Sequence, residues 1–123
     1  MPTSVIPPGW PRDLPPAASA EFEHKVAGWL LDRAPMNLRG DPIWRREPRA
    51  LALVTRLHAE ATVVGLRSAY SSARRELSDV VDSDHLPGVM SGLERAGAEA
   101  VSTVREVKMV EEALAGRTWR RKL

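Results

Sequence analysis

The chain contains no cysteine, which removes disulfides, thiolate metal sites and cysteine nucleophiles at a stroke. The fold must rest on packing alone, as cytosolic proteins normally do. No stretch approaches the roughly 18 consecutive apolar residues of a membrane span. The opening MPTSVIPPGWP has neither the basic n-region nor the apolar h-region of a secretory leader. We therefore expect a cytoplasmic protein with no membrane partner. Neither sign of charge dominates: 18 Lys and Arg face 16 Asp and Glu for a net charge of +2, so the surface is mixed rather than polycationic. Aromatic residues are sparse as well, with one Phe, one Tyr and four Trp. At 123 residues the chain is a single domain of modest core, with arms.

What is present is punctuation and helical periodicity. Residues 1–18 hold six of the ten prolines, and Pro7-Pro8 and Pro15-Pro16 favour polyproline II or turn. This segment reads as an extended arm without hydrogen-bonded structure of its own, pinned by Trp10 with help from Val5, Ile6 and Leu14. From Ser19, a plausible N-cap, Phe22, Val26, Trp29 and Leu30 recur at helical spacing, predicting a helix over about 19–34 that stops before Pro35. PMNLRGDPIWRREP is broken too often for more than a turn of helix. Pro48 then opens the longest helix, over about 48–80, with apolar positions at Leu53, Leu57, Val64, Leu66, Tyr70, Ala73 and Leu77. DSDHLPG ends it, and a last helix runs over about 86–115 until Gly116 closes it. Nothing reads as strand. The expected fold is all-α: a Pro-rich arm (1–18), a helical domain (19–116) made of a short helix and a long antiparallel hairpin, and a basic tail (117–123).

Small residues repeat every four positions in both long helices: Ala61, Gly65, Ala69 and Ala73 in one, Gly88, Gly92, Ala96 and Ala100 in the other. Folded back antiparallel, Ala73 faces Gly92, Ala69 faces Ala96 and Gly65 faces Ala100. Such a seam would let the backbones approach closely, and would explain why glycine, which costs roughly 0.5–1 kcal/mol against alanine in a helix, is retained at Gly65, Gly92 and Gly97.

Chemistry is hard to find. His24, His58 and His85 lie on three elements, none with a second ligand at i, i+4, so no metal is expected. Asp79, Asp82, Asp84 and His85 crowd one loop, which lacks the central glycine and distal glutamate of a calcium loop. No serine sits in a nucleophile elbow, and His58 and Glu60 at i, i+2 point to different faces. GLERAGAEA follows no strand, so it is no phosphate cradle. The sequence thus predicts no enzyme, no cofactor and no small-molecule substrate.

Charge is unevenly distributed. ELSDVVDSD carries Glu76, Asp79, Asp82 and Asp84, whereas WRREPR supplies Arg45, Arg46 and Arg49, and RTWRRKL supplies Arg117, Arg120, Arg121 and Lys122. One end of the molecule is expected to be basic and another acidic. Each basic run contains a tryptophan, a combination suited to phosphate contact with base stacking. The helices nevertheless mix both signs, as at Arg56 with Glu60, and show no continuous basic face. Protein recognition accounts better for the tryptophans, which anchor interfaces by filling a pocket with the ring while the N–H finds an acceptor. Trp29 and Trp44 are expected to cap the hairpin. The predicted partner-binding residues are Trp10, Trp44, Arg45, Arg46, Trp119, Arg120 and Arg121. Apolar positions such as Val63, Val64, Val101 and Val110 spread wider than one seam, leaving surface for self-association or a partner helix.

The order PPGWP, GWLLDRAP, RREPRALA and GLRSAYSSARREL resembles a family of small helical proteins of high-GC actinobacteria. The resemblance spans most of the chain and implies a bacterial source and a cytoplasmic address. It carries over no activity and no site residue. The functional expectation is a small adaptor or regulatory subunit that binds a larger protein or assembly. The alternative is a nucleic-acid-associated factor whose arginines contact phosphates.

Overall fold

The computed structural model describes residues 6–116. It is all-helical: α1 (Ala20–Leu31), a 3-10 turn (Met36–Leu38), α2 (Ile43–Arg46), α3 (Pro48–Leu77) and α4 (Leu86–Leu114), with no strand among the described residues. The expected all-α hairpin is therefore present. Local chemistry sets each boundary. Ser19 caps α1, its Oγ accepting from the Glu21 N–H at 3.2 Å, and Glu21 and Glu23 complement the positive end. The helix closes at Leu31, three residues short of the expected end; Arg33 and Ala34 still donate to the Leu30 carbonyl before Pro35 turns the chain away. In the connector, Asp41 Oδ1 accepts from the Ile43 N–H at 3.0 Å, which starts the single turn of α2. Pro48 occupies the first turn of α3, where a missing N–H costs nothing. That helix stops at Leu77 rather than 80, and Val80 and Val81 close one further turn onto the Leu77 carbonyl. Gly116, at φ 79°, supplies the left-handed residue that ends α4.

α3 and α4 pack antiparallel along their length, and α1 lies across the α3 side near their open end. There the core gathers: Leu14 from the arm, Phe22, Val26, Trp29, Leu30, Leu31 and Ala34 from α1 and its exit, Leu51 and Ala52 from α3, Val107 and Val110 from α4. Trp29 is buried and Trp44 packs against the same cluster, so both cap the hairpin as expected. Toward the turn the hairpin is only two helices thick, and its buried side chains are Ala59, Val63, Ala73, Met90 and Ala100.

Two expectations require correction. The first concerns the small-residue seam. Arg56 reaches Glu111 and Tyr70 reaches Glu94, which brackets the deduced register, but the faces are rotated. Ala73 and Ala100 are buried, whereas Ala61, Gly65, Ala69 and Gly88 are exposed. Methyl groups added at Gly65, Gly88 or Gly97 would meet nothing within 4 Å, and one at Gly92 only the tip of Arg95, so close backbone approach does not account for these glycines. The physical reason is drift: on a helix of 3.6 residues per turn a strict four-residue repeat rotates by about 40° per step, so the row from Ala61 to Ala73 winds across the helix. The seam instead follows Thr55, Ala59 and Val63 before it reaches Ala73.

The second correction concerns the arm, which is folded. Trp10 N–H bonds the Pro7 carbonyl at 3.1 Å, Leu14 N–H the Pro11 carbonyl at 3.4 Å, and Ser19 N–H the Pro16 carbonyl at 2.9 Å. Three successive turns result. Gly9 at φ 85° occupies the position after Pro8 that a type II turn reserves for a residue with positive φ. Pro8 presets the first corner of its turn, while Pro7, Pro11 and Pro16 each open a turn as the accepting carbonyl.

Candidate partner-binding surfaces

The arm's anchors point inward. Pro11 and Leu14 are buried, and the half-buried Trp10 ring packs against Phe22 with centroids 5.9 Å apart. Its indole N–H donates to the Leu14 carbonyl at 3.0 Å, so the ring braces the very turns that position it. Beside it Asp13 joins the arm to α1: one carboxylate oxygen accepts from Trp29 Nε1 at 2.8 Å and the other from Arg33 at 2.9 Å. The Arg33 guanidinium lies 3.8 Å from the centre of the Trp29 ring, closing a three-residue cluster of hydrogen bond, ion pair and cation–π contact. The indole hydrogen bond, joined by the contacts of Arg33, holds Asp13 below the ordinary carboxylate range against the opposing effect of burial.

The second region is the open end of the hairpin. Trp44 is half-buried, while Arg45 and Arg46, in the same single turn, are exposed. Arg49 follows in the first turn of α3 and shares a groove with Ala50, Leu53, Arg56, Glu111 and Ala115. The antiparallel fold thus brings the WRREPR cations next to the end of α4, from which the basic tail departs. Trp119, Arg120 and Arg121 lie outside the described residues. Glu76, Asp79, Asp82 and Asp84 are exposed at the opposite, turn end. Among the described residues, the WRREPR cations and these carboxylates therefore lie at opposite ends of the hairpin.

Arg56 ties the open end together. Its Nε donates to Glu111 at 2.6 Å and its Nη1 to Glu60 at 2.8 Å, and the Glu60 and Glu111 hydrogen bonds push the guanidinium pKa up. The i, i+4 partner was readable in sequence; Glu111, 55 residues away, was not.

The third region is the hairpin face that α1 leaves uncovered. Leu53, Leu57 and Val64 are 44%, 51% and 66% exposed along one side of α3. Val64 lines a shallow groove of about 280 Å³ with Val63, Val101 and Val104, flanked by Glu60 and Arg67. Of the surplus apolar positions named from the sequence, Val110 and Val63 are buried, and Val64 and Val101 remain at this surface.

His58 and Glu60 do diverge: His58 opens on a separate groove with Asp32, Arg33, Thr62 and Thr103. Among the described residues no three His, Asp or Glu side chains come close enough to hold a metal ion. None of their helices is long and apolar enough to cross a membrane. Tyr70 donates its hydroxyl to Glu94 at 3.0 Å, and that bond to a carboxylate raises its pKa. Asp13 and Arg33 are the structural residues that sequence reasoning missed, because nothing local marks an aspartate 16 positions from the indole it will meet. Comparison of the chain with protein families, with curated proteins and with solved structures finds no match.

Proposed function

We propose that this protein is a small adaptor or regulatory subunit that acts in the cytoplasm by binding a larger protein, with the open end of its hairpin as the contact. The observation that carries this reading is the clustering of Trp44, Arg45, Arg46 and Arg49 beside the end of α4, on a turn whose Trp44 packs against the core. Tryptophan and arginine are the side chains most enriched among interface anchors, and a contact held on a packed helix loses little entropy on binding. Trp119, Arg120 and Arg121, which follow α4 in the sequence, belong to the same contact in the proposal. Trp10 contributes indirectly here, because its ring already packs against Phe22.

The competing reading, phosphate contact by the same arginines, draws on the same clustering. Salt and nuclease separate the two. Protein capture from the source cells by the full chain is expected to survive both nuclease treatment and a change from 50 to 200 mM salt, and to be lost on the double substitution Arg45→Glu with Arg46→Glu. Retention of nucleic acid that falls steeply over that salt range would favour the phosphate reading instead.

A further inference from the structure

We infer that the groove at the open end of the hairpin takes an acidic peptide segment of the partner protein, with a carboxylate on Arg49 and a neighbouring apolar side chain on Leu53. This rests on the adaptor reading and deepens it, by giving the partner's contact a chemical composition.

The groove has a volume of about 460 Å³, within the roughly 300–1,000 Å³ of ordinary binding sites, and lies between the start of α3 and the end of α4. Different residues set its charge and its apolar floor. Arg49 and Arg56 both line it, but Arg56 is spent: Glu111 and Glu60 accept from its Nε and Nη1 at 2.6 and 2.8 Å. Arg49 is exposed and belongs to no ion pair among the described residues, and the same holds for Arg45 and Arg46 in the turn before it. The uncompensated charge beside the groove is therefore positive, and a guanidinium holds a carboxylate through two parallel N–H donors. Ala50, Leu53 and Ala115 supply the apolar part, with Leu53 left 44% exposed. An unpaired cation next to an open leucine matches a segment in which an acidic residue stands beside an apolar one.

Two features favour a peptide over a nucleic acid. Glu111 lines the groove together with Arg49, and a phosphodiester chain, charged at every link, cannot follow the groove without approaching that carboxylate. A peptide can space its charges to avoid it. The Arg56 bond occupies one oxygen of Glu111, and a peptide can offer the other a backbone N–H, which a phosphodiester chain lacks. Trp44 is the second feature. It packs against the core, so the aromatic residue of WRREPR is committed to holding its turn in place rather than offered as a platform for stacked bases.

The test passes a peptide library over the immobilised full chain at 100 mM salt and sequences what is retained. The peptides carry leucine at the centre and Ala, Asn, Gln, Asp, Glu or Lys at random in the three positions on each side. Asp and Glu are expected to be enriched about threefold or more over Asn and Gln at one or more flanking positions. Arg49→Glu should abolish that preference, and Arg49→Lys should keep part of it. Leu53→Asp should lower total retention about tenfold, because the fixed leucine then loses its apolar contact. Both side chains are exposed, so the urea midpoints of these variants are expected to stay near wild type. A retained pool with no acidic preference overturns the proposal, as does a preference that persists in Arg49→Glu. A single-stranded oligothymidylate held more tightly than the selected acidic peptides overturns it in favour of phosphate. In capture from the source cells, a partner lost on Arg45→Glu with Arg46→Glu but still held by both Arg49→Glu and Leu53→Asp removes the groove and leaves the adaptor reading standing.

Discussion

At Asp13 three interactions converge on a carboxylate that is 62% exposed, and their consequence is a pH dependence whose sign can be worked out. The Trp29 indole and Arg33 favour the ionised form, so the folded-state pKa lies below the unfolded value of about 3.9. A depressed carboxylate contributes stability that is present above the unfolded pKa and is lost as pH falls through the folded one. Because the group is largely solvated, the contribution is small, of the order of 1 kcal/mol or less. Urea unfolding of wild type and Asp13→Asn should therefore differ at pH 7 and converge as the pH falls through the carboxylate range; a gap that stays constant on acidification contradicts the assignment. Trp10→Ala tests the other anchor. Removing a half-buried indole that packs on Phe22 is expected to cost about 2 kcal/mol, read as a lowered urea midpoint, and an unchanged midpoint would reduce the arm to a leader. The role of Trp10 as an anchor was legible in the sequence because so few other apolar groups lie near it. The Asp13 contact was not, since a hydrogen bond between residues 13 and 29 leaves no local pattern in either segment.

The elements themselves were largely written in punctuation. Ser19, Pro35, Pro48, the DSDHLPG break and Gly116 act through caps and fixed φ, which are local effects, and all six ends of the three expected helices fall within about three residues of where those signals place them. The face that each helix buries was harder to read. Leu53, Leu57 and Val64 look like core by composition, yet Thr55 and Ala59 take the buried positions, because a long two-helix seam is chosen by rotation and a few degrees per residue decide it. The exposure of Gly65 turns that correction into a prediction. With nothing within 4 Å of an added methyl and helical φ, Gly65→Ala should stabilise the protein by about 0.5–1 kcal/mol and raise the melting temperature. The seam read from the sequence requires the opposite sign. Gly9→Ala supplies the contrast: the added methyl fits beside Met109, but φ of 85° does not suit alanine, so a loss of about 1 kcal/mol is expected from backbone strain alone.

For the molecule as a whole, connectivity creates what neither basic run shows alone. An antiparallel hairpin returns the chain to its starting end, so Arg45, Arg46 and Arg49 sit at the pole where α4 ends while the acidic turn occupies the other. Each segment is unremarkable in composition, and the asymmetry could be expected from the sequence once the hairpin was assumed. The arrangement along the axis, and the uncovered face beside it, needed the packing of α1. The proposed adaptor role draws on these features, with the Trp44, Arg45 and Arg46 end of the hairpin as its contact. The most direct test compares wild type with the double substitution Arg45→Glu with Arg46→Glu in capture from nuclease-treated extracts of the source cells at 50 and 200 mM salt. The account predicts a protein retained by wild type at both salt concentrations and lost from the variant; retention of nucleic acid alone, vanishing between 50 and 200 mM, would contradict it.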